Sequence, residues 1–140
     1  MTHLTTLATL AAALALATTA AQAEDILFRS PSGNIHCLVS DDPSYAGARC
    51  DIGEVDTMSF ARRPADCDLD WGRAFFVGER GSAEPICAGD TVVSPDATVL
   101  PYGRSVTLGA VTCESSKQGM ECRNGSGGLF LLRRRSQIVR

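Results

Sequence analysis

Six cysteines, Cys37, Cys50, Cys67, Cys87, Cys113 and Cys122, stand behind an apolar leader in a chain of 140 residues. An even number of cysteines in a short exported chain reads as a disulfide framework. Oxidising compartments let such bonds form and persist, whereas cytosolic thiols stay reduced. The spacing is informative. Gly33-Asn34-Ile35-His36-Cys37 leads through a polar turn to Arg49-Cys50-Asp51, and Gly109-Ala110-Val111-Thr112-Cys113 leads to Glu121-Cys122-Arg123. Twelve residues separate the first pair of cysteines and eight the second, both even counts that let the partners face each other across an antiparallel hairpin. Non-hydrogen-bonded partners lie about 4.5 Å apart at Cα, close enough for a disulfide. Six cysteines allow fifteen connectivities. Hairpin geometry favours Cys37–Cys50 and Cys113–Cys122, which leaves Cys67 for Cys87. No Cys-x-x-Cys knuckle is present and His36 is the single histidine beyond the leader, so neither a zinc site nor any other cofactor is expected.

Residues 4–21 carry no charge, and Ala21-Gln22-Ala23 supplies the small-x-small pattern of a signal-peptidase site. The apolar core is shorter than the ~20 residues that span a bilayer. The expected organisation is a signal peptide over 1–23 and one disulfide-stapled domain over 24–140, with no transmembrane segment after cleavage. The domain keeps the formal net charge of −3, which argues against nucleic acid as a partner. Charge is uneven, however. From Cys113 onward, Lys117, Arg123, Arg133, Arg134, Arg135 and Arg140 face only Glu114 and Glu121.

Long helical periodicity is absent. Turn residues recur every eight to twelve positions, as in Ser30-Pro31-Ser32-Gly33 and Pro101-Tyr102-Gly103. Between them lie short β-type runs at 26–28, 35–39, 48–52, 75–77, 91–93, 106–113, 120–123 and 129–132. In the 106–113 run the apolar parity shifts by one beside Gly109, which predicts a β-bulge. Short strands at this spacing predict an all-β fold, a small antiparallel sandwich or barrel stapled by three disulfides.

Several motifs stand in a fixed order. They are Phe28-Arg29-Ser30-Pro31-Ser32-Gly33-Asn34-Ile35-x-Cys37, Arg49-Cys50-Asp51-Ile52, Cys67-Asp68-Leu69-Asp70-Trp71-Gly72 and Cys87-Ala88-Gly89-Asp90-Thr91. Leu100-Pro101-Tyr102-Gly103 and Cys113-x7-Met120-x-Cys122-Arg123-Asn124 follow. Together they resemble a bacterial family of small secreted six-cysteine proteins known only as a domain of unknown function. The resemblance implies a signal peptide, paired cysteines and a β-rich domain, and no established activity. That family's Gly-His-Gly-Phe stretch near the C-terminus reads Gly127-Gly128-Leu129-Phe130 here, without its histidine.

Catalytic candidates are thin. A hydrolytic triad would need His36 beside a nucleophile and an acid. Cys37 is expected to be oxidised, hence not nucleophilic, and strand alternation turns His36 to solvent when Cys37 faces inward. Asp66, Asp68 and Asp70 alternate, but Trp71 and Val77 stand where a calcium loop needs Gly and Glu. Glu114 and Glu121 lie opposite if Cys113 and Cys122 do, a spacing compatible with paired-carboxylate hydrolysis, with Lys117 and Arg123 close enough to neutralise them. Phe28, Phe60, Phe75, Phe76 and Phe130 read as core, and Trp71 as a cover for the Cys67 bridge. Sugar binding by an exposed Trp71 or Tyr102 is a minor option. Asn124-Gly125-Ser126-Gly127-Gly128 reads as a flexible turn. Arg133, Arg134 and Arg135 are the candidate binding residues. On a strand continued from 129–132, Arg133 and Arg135 would share one face and Arg134 the other. A plain solubilising end is the bland alternative.

The expected function is a secreted or periplasmic, non-enzymatic binding module whose partner is an envelope protein or an anionic wall component. A periplasmic inhibitor of a lysozyme-like wall hydrolase, presenting the 124–128 loop, is the first alternative. A hydrolase using carboxylates is the second.

Overall fold

The computed structural model describes residues 20–140 except Ala61, so most of the expected signal peptide lies outside the described residues. Strand β1 (Asp25–Arg29) pairs with β2 (Ile35–Ser40), β2 with β3 (Gly47–Ile52), β3 with β4 (Asp70–Gly78), and β4 with β5 (Glu84–Ala88), all antiparallel. The two-residue β6 (Thr98–Val99) closes the other edge of this sheet beside β1, as a parallel pair. The second sheet is a meander of β7 (Ser105–Leu108), β8 (Val111–Ser116), β9 (Gly119–Asn124), β10 (Leu129–Leu132) and β11 (Gln137–Val139). No helix occurs among the described residues, and none there is long and apolar enough to cross a membrane.

The two sheets pack face to face, as alternation requires. Ile35, Cys37 and Val39 of β2 point inward, with Ala48, Cys50 and Ile52 of β3 and Phe75 and Val77 of β4. Val111 and Cys113 of β8, Met120 and Cys122 of β9, and Phe130 and Leu132 of β10 meet them from the second sheet. Phe75 joins the layers: its ring meets Phe60 edge-on at 5.0 Å and Phe130 at 6.2 Å between centroids.

Cysteines staple each sheet internally. Cys37 stands opposite Cys50 and Cys113 opposite Cys122, with Cα separations of 4.1 and 4.0 Å. Cys67–Cys87 closes the longer 67–87 segment at 5.8 Å, and no free cysteine remains. The two cross-strand bonds lie back to back in the core, with Cys50 Sγ 3.6 Å from Cys122 Sγ. Because all four of these sulfurs are oxidised, their proximity makes no metal site. Cys37, Cys50, Cys113 and Cys122 are fully buried, while Cys87 is exposed. A dithiol added to the native protein should therefore open Cys67–Cys87 first and spare the other two until the domain unfolds. Alkylation and peptide mapping of briefly reduced protein would check this. Early labelling at Cys113 or Cys122 would contradict it.

Three expectations about strands are corrected. The 106–113 run is two strands and not one bulged strand. Leu108 pairs with Val111 around Gly109-Ala110, and Gly109 takes φ +57. A glycine with positive φ at the first of two loop residues is the pattern of a type II′ hairpin, which shifts parity as a bulge would. The 91–93 run is no strand. Thr91 Oγ1 and Val92 N–H donate to the Asp51 carboxylate at 2.8 and 3.0 Å, so this backbone is spent on a side chain. Residues 133–136 are a turn, in which Arg133 N–H donates to the Ser136 carbonyl at 3.0 Å, so the arginines do not alternate across a strand.

Candidate functional site

One end of the sandwich carries a cleft of about 800 Å³, assembled from strand ends and turns. Its walls are the β1–β2 turn (Ser30, Ser32, Asn34), Glu54 and Asp56 after β3, Tyr102, the β8–β9 turn (Lys117, Gln118, Gly119) and the β10–β11 turn. Arg133, Arg134 and Arg135 all line it, together with Lys117.

Local chemistry fixes each wall. Ser30 Oγ accepts from Ile35 N–H at 3.1 Å and closes the β1–β2 turn. Asn34 clips that turn to the segment after β3: its Oδ1 accepts from Glu54 N–H at 2.7 Å and its Nδ2 donates to the Glu54 carbonyl at 3.1 Å. Lys117 and Gln118 form the two-residue connection between Ser116 and its partner Gly119. Gly119, with φ +137, lets the chain of Leu132 and Arg133 come close: a Cβ there would lie 3.0 Å from Arg133 Cγ and against the Leu132 carbonyl oxygen. The absent side chain brings the two cationic turns together.

The three arginines divide by role. Arg134 Nη2 donates to Asp56 Oδ1 at 2.8 Å and its Nη1 lies 3.2 Å from Glu54 Oε2. The Arg134 carbonyl also accepts from the N–H groups of Asp56 and Thr57. Hydrogen bonding to Asp56, then the charges of Asp56 and Glu54, hold its guanidinium above the ordinary arginine range. Arg134 is thus a clamp between the β10–β11 turn and the segment after β3. Arg133, Arg135 and Lys117 are exposed and make no ion pair among the described residues. The cleft holds four cations against two carboxylates, and Arg134 takes both carboxylates. This end is positive on a chain whose formal net charge is −3.

The other sequence candidates lie elsewhere. Glu114 and Glu121 are register partners, but Arg123 Nη1 sits 2.9 Å from Glu121 Oε1 and 3.9 Å from Glu114 Oε2. Arg123 alone neutralises that pair, and Lys117 takes no part. Asp66, Asp68 and Asp70 are exposed around buried Cys67. His36 lies on the outer face, opposite to inward Cys37 as alternation requires, but is half-buried there and not exposed. It lies between Arg29 and Asp51 in the sheet, and its Nδ1 is buried without a partner. The 124–128 segment is held and not flexible. Asn124 Oδ1 accepts from Ser126 N–H and Gly128 N–H, and its Nδ2 donates to the carbonyls of Gly78 and Gly81 at 3.0 and 2.9 Å.

One cluster was not foreseen, although Arg49, Asp51, Asp90 and Thr91 all stand in the ordered motifs. Arg49 and Asp51, 6% and 7% exposed, form a two-pronged ion pair on the outer face of the first sheet. Arg49 Nη1 also reaches Asp90 Oδ1 at 2.8 Å, and its Nη2 donates to the Asp90 carbonyl at 2.9 Å. Burial alone would lower the Arg49 pKa, but hydrogen bonds and charge from Asp51 and Asp90 raise it above the ordinary range. The network pins residues 90–92 over the sheet. One guanidinium thus holds two carboxylates and locks this segment to the sheet.

Fold and staples together define a small, all-β, disulfide-bonded domain. The chain belongs to the family described as Family of unknown function (DUF6636), whose model matches residues 8–140. No curated protein and no solved structure matches it.

Proposed function

We propose that this protein is an exported, non-enzymatic binding module whose cleft takes an anionic component of the cell envelope. One observation carries the reading: Lys117, Arg133 and Arg135 converge on one cleft without ion-pair partners among the described residues, while Arg134 pairs with both acids there. A concave site of this size suits a ligand segment and not a flat contact. The Cys113–Cys122 disulfide ties the two strands that carry the Lys117 turn, and the Arg134 ion pairs anchor the β10–β11 turn, so little ordering is needed on binding. The signal-peptide pattern and three disulfides support an extracytoplasmic location.

Neutralising Lys117, Arg133 and Arg135 to Gln should weaken binding of inorganic polyphosphate or an acidic glycan roughly ten- to a hundredfold. That corresponds to about 0.5–1 kcal/mol for each exposed charge contact. Calorimetric titration at low salt would measure it. Stability should move by no more than about 0.5 kcal/mol for each such surface change. Arg134→Ala should behave differently, lowering the melting temperature and freeing Glu54 and Asp56 to repel the ligand. Undiminished binding by the triple Gln variant would remove the cleft as the site.

A further inference from the structure

Resting on that reading, we infer that the anion belongs to a sugar chain: the cleft binds a short run of carboxylated or phosphorylated sugar rings, with Tyr102 as the platform for one ring. Tyr102 lines the same cleft as Lys117, Arg133 and Arg135 and is 47% exposed. It is held in place. Arg104 N–H donates to the Pro101 carbonyl at 3.1 Å, and Gly103 N–H donates to the Ser115 carbonyl at 2.7 Å. Those bonds tie the turn to the end of β8, one residue before Ser116 and two before Lys117. The phenol hydroxyl makes no hydrogen bond among the described residues. A tethered aromatic beside unpaired cations offers an apolar ring face and a charge site together. An acidic sugar presents both features, since its ring has an apolar C–H face and its substituent a charge.

The remaining lining favours hydroxyl-rich ligands. Gln118 is exposed at the tip of the β8–β9 turn, and its side-chain amide has no partner among the described residues. Ser32 is exposed in the same cleft, its hydroxyl accepting from Asn34 N–H within the β1–β2 turn. An acidic peptide fits less well. The cleft lies where strands turn back, so no open strand edge stands there to pair with a peptide backbone. Its aliphatic lining residues, Ile35 and Leu132, are themselves buried, so Tyr102 is the exposed apolar group the cleft offers. A bare polyanion would satisfy the cations but leave Tyr102 idle.

The test is a calorimetric comparison of five probes on the mature, oxidised protein: tetragalacturonate, pentamannose phosphate, maltotetraose, inorganic polyphosphate and polyglutamate. Variants are Tyr102→Ala, Tyr102→Phe and the triple Gln variant of Lys117, Arg133 and Arg135. One or both charged sugars should bind more tightly than polyphosphate, polyglutamate or maltotetraose. The tighter of the two charged sugars tells carboxylate from phosphate. Tyr102→Ala should weaken that sugar about tenfold, as truncation of an aromatic anchor does. Tyr102→Phe should bind as the parent does, and both variants should keep the parent melting temperature. If polyphosphate binds as tightly as the sugars, and equally to the parent and Tyr102→Ala, the sugar inference falls and the anion-binding reading stands. Tighter binding of polyglutamate would overturn it in favour of an acidic protein partner. Binding of no anion at all, or maltotetraose binding that survives loss of the three cations, would overturn both.

Discussion

Replacing Arg49 by alanine is expected to cost the domain about 3–5 kcal/mol, the usual loss when one partner of a buried ion pair is removed. The Asp51 carboxylate would stay beneath the 90–92 segment with only Thr91 Oγ1 and Val92 N–H to satisfy it. The same change releases Asp90, which Arg49 holds by two contacts. Urea unfolding near neutral pH would measure the loss. Lysine should not rescue it, because a point ammonium cannot reproduce the two-pronged guanidinium contact. Joint replacement of Arg49 and Asp51 by apolar residues should recover much of the stability, since neither charge is then stranded. A loss below about 1 kcal/mol would mean that the pair behaves as a surface contact. The Arg49 hydrogen bond and charge hold the Asp90 carboxyl below its ordinary 3.8. The Asp90 contribution is therefore complete above that value and is lost as pH falls through the lowered one. Protection of the amides of residues 90–92, relative to their intrinsic exchange rates, should stay high at about pH 5 and fall only in stronger acid.

Joint replacement of Cys113 and Cys122 by alanine should cost about 3 kcal/mol, from the entropy of the loop they close. The two bonds within the sheets close loops of similar size, with sequence separations of 13 and 9, so the Cys37–Cys50 pair should cost about as much. Single replacement should do something different. Without Cys113, the Cys122 thiol lies 3.6 Å from Cys50 Sγ in the present packing. Thiolate attack there would form Cys50–Cys122 and release Cys37 as the new thiolate, with no net oxidation. Peptide mapping of Cys113→Ala should find this exchanged bond beside the original one. Retention of Cys37–Cys50 alone would show that the core holds the sulfurs too rigidly to exchange.

The hairpins carrying Cys37–Cys50 and Cys113–Cys122 were legible in the sequence because cysteine spacing and inward parity agree there. Both features come from neighbours across a turn, and local pattern records such contacts. Edge strands left weaker traces. In β5, Pro85 and Glu84 occupy a strand that bonds on one side only, where proline is tolerated and apolar alternation is not enforced. Thr91, Val92 and Val93 have strand-like side chains, yet Asp51, some 40 positions earlier, captures their donors. Gly109-Ala110 did carry a hairpin signal, but a parity shift is shared by bulge and turn. Only pairing of Leu108 with Val111 separates the two.

The site was half legible. The arginine triplet is visible as a run of charge, but its division of labour is not. Arg134 is spent on Glu54 and Asp56, about 80 positions away, and no sequence pattern links those residues. Lys117 read as a partner for Glu114 or Glu121, whereas Arg123 fills that place and the β8–β9 turn carries Lys117 to the cleft. Tyr102 entered only as a minor sugar-binding option, because a lone exposed aromatic has no signature until its neighbours are known.

One cationic cleft, at the end of the sandwich, is expected to bind an anionic ligand. Backbone amide shifts of the mature, oxidised protein, followed while tetragalacturonate or inorganic polyphosphate is added, test it most directly. Shifts should concentrate at residues 32–34, 102–104, 117–119 and 133–136, and shrink as salt shortens the screening length from about 8 Å at physiological ionic strength to about 3 Å at 1 M. Shifts centred instead on residues outside the cleft, or shifts that persist unchanged in high salt, would contradict it.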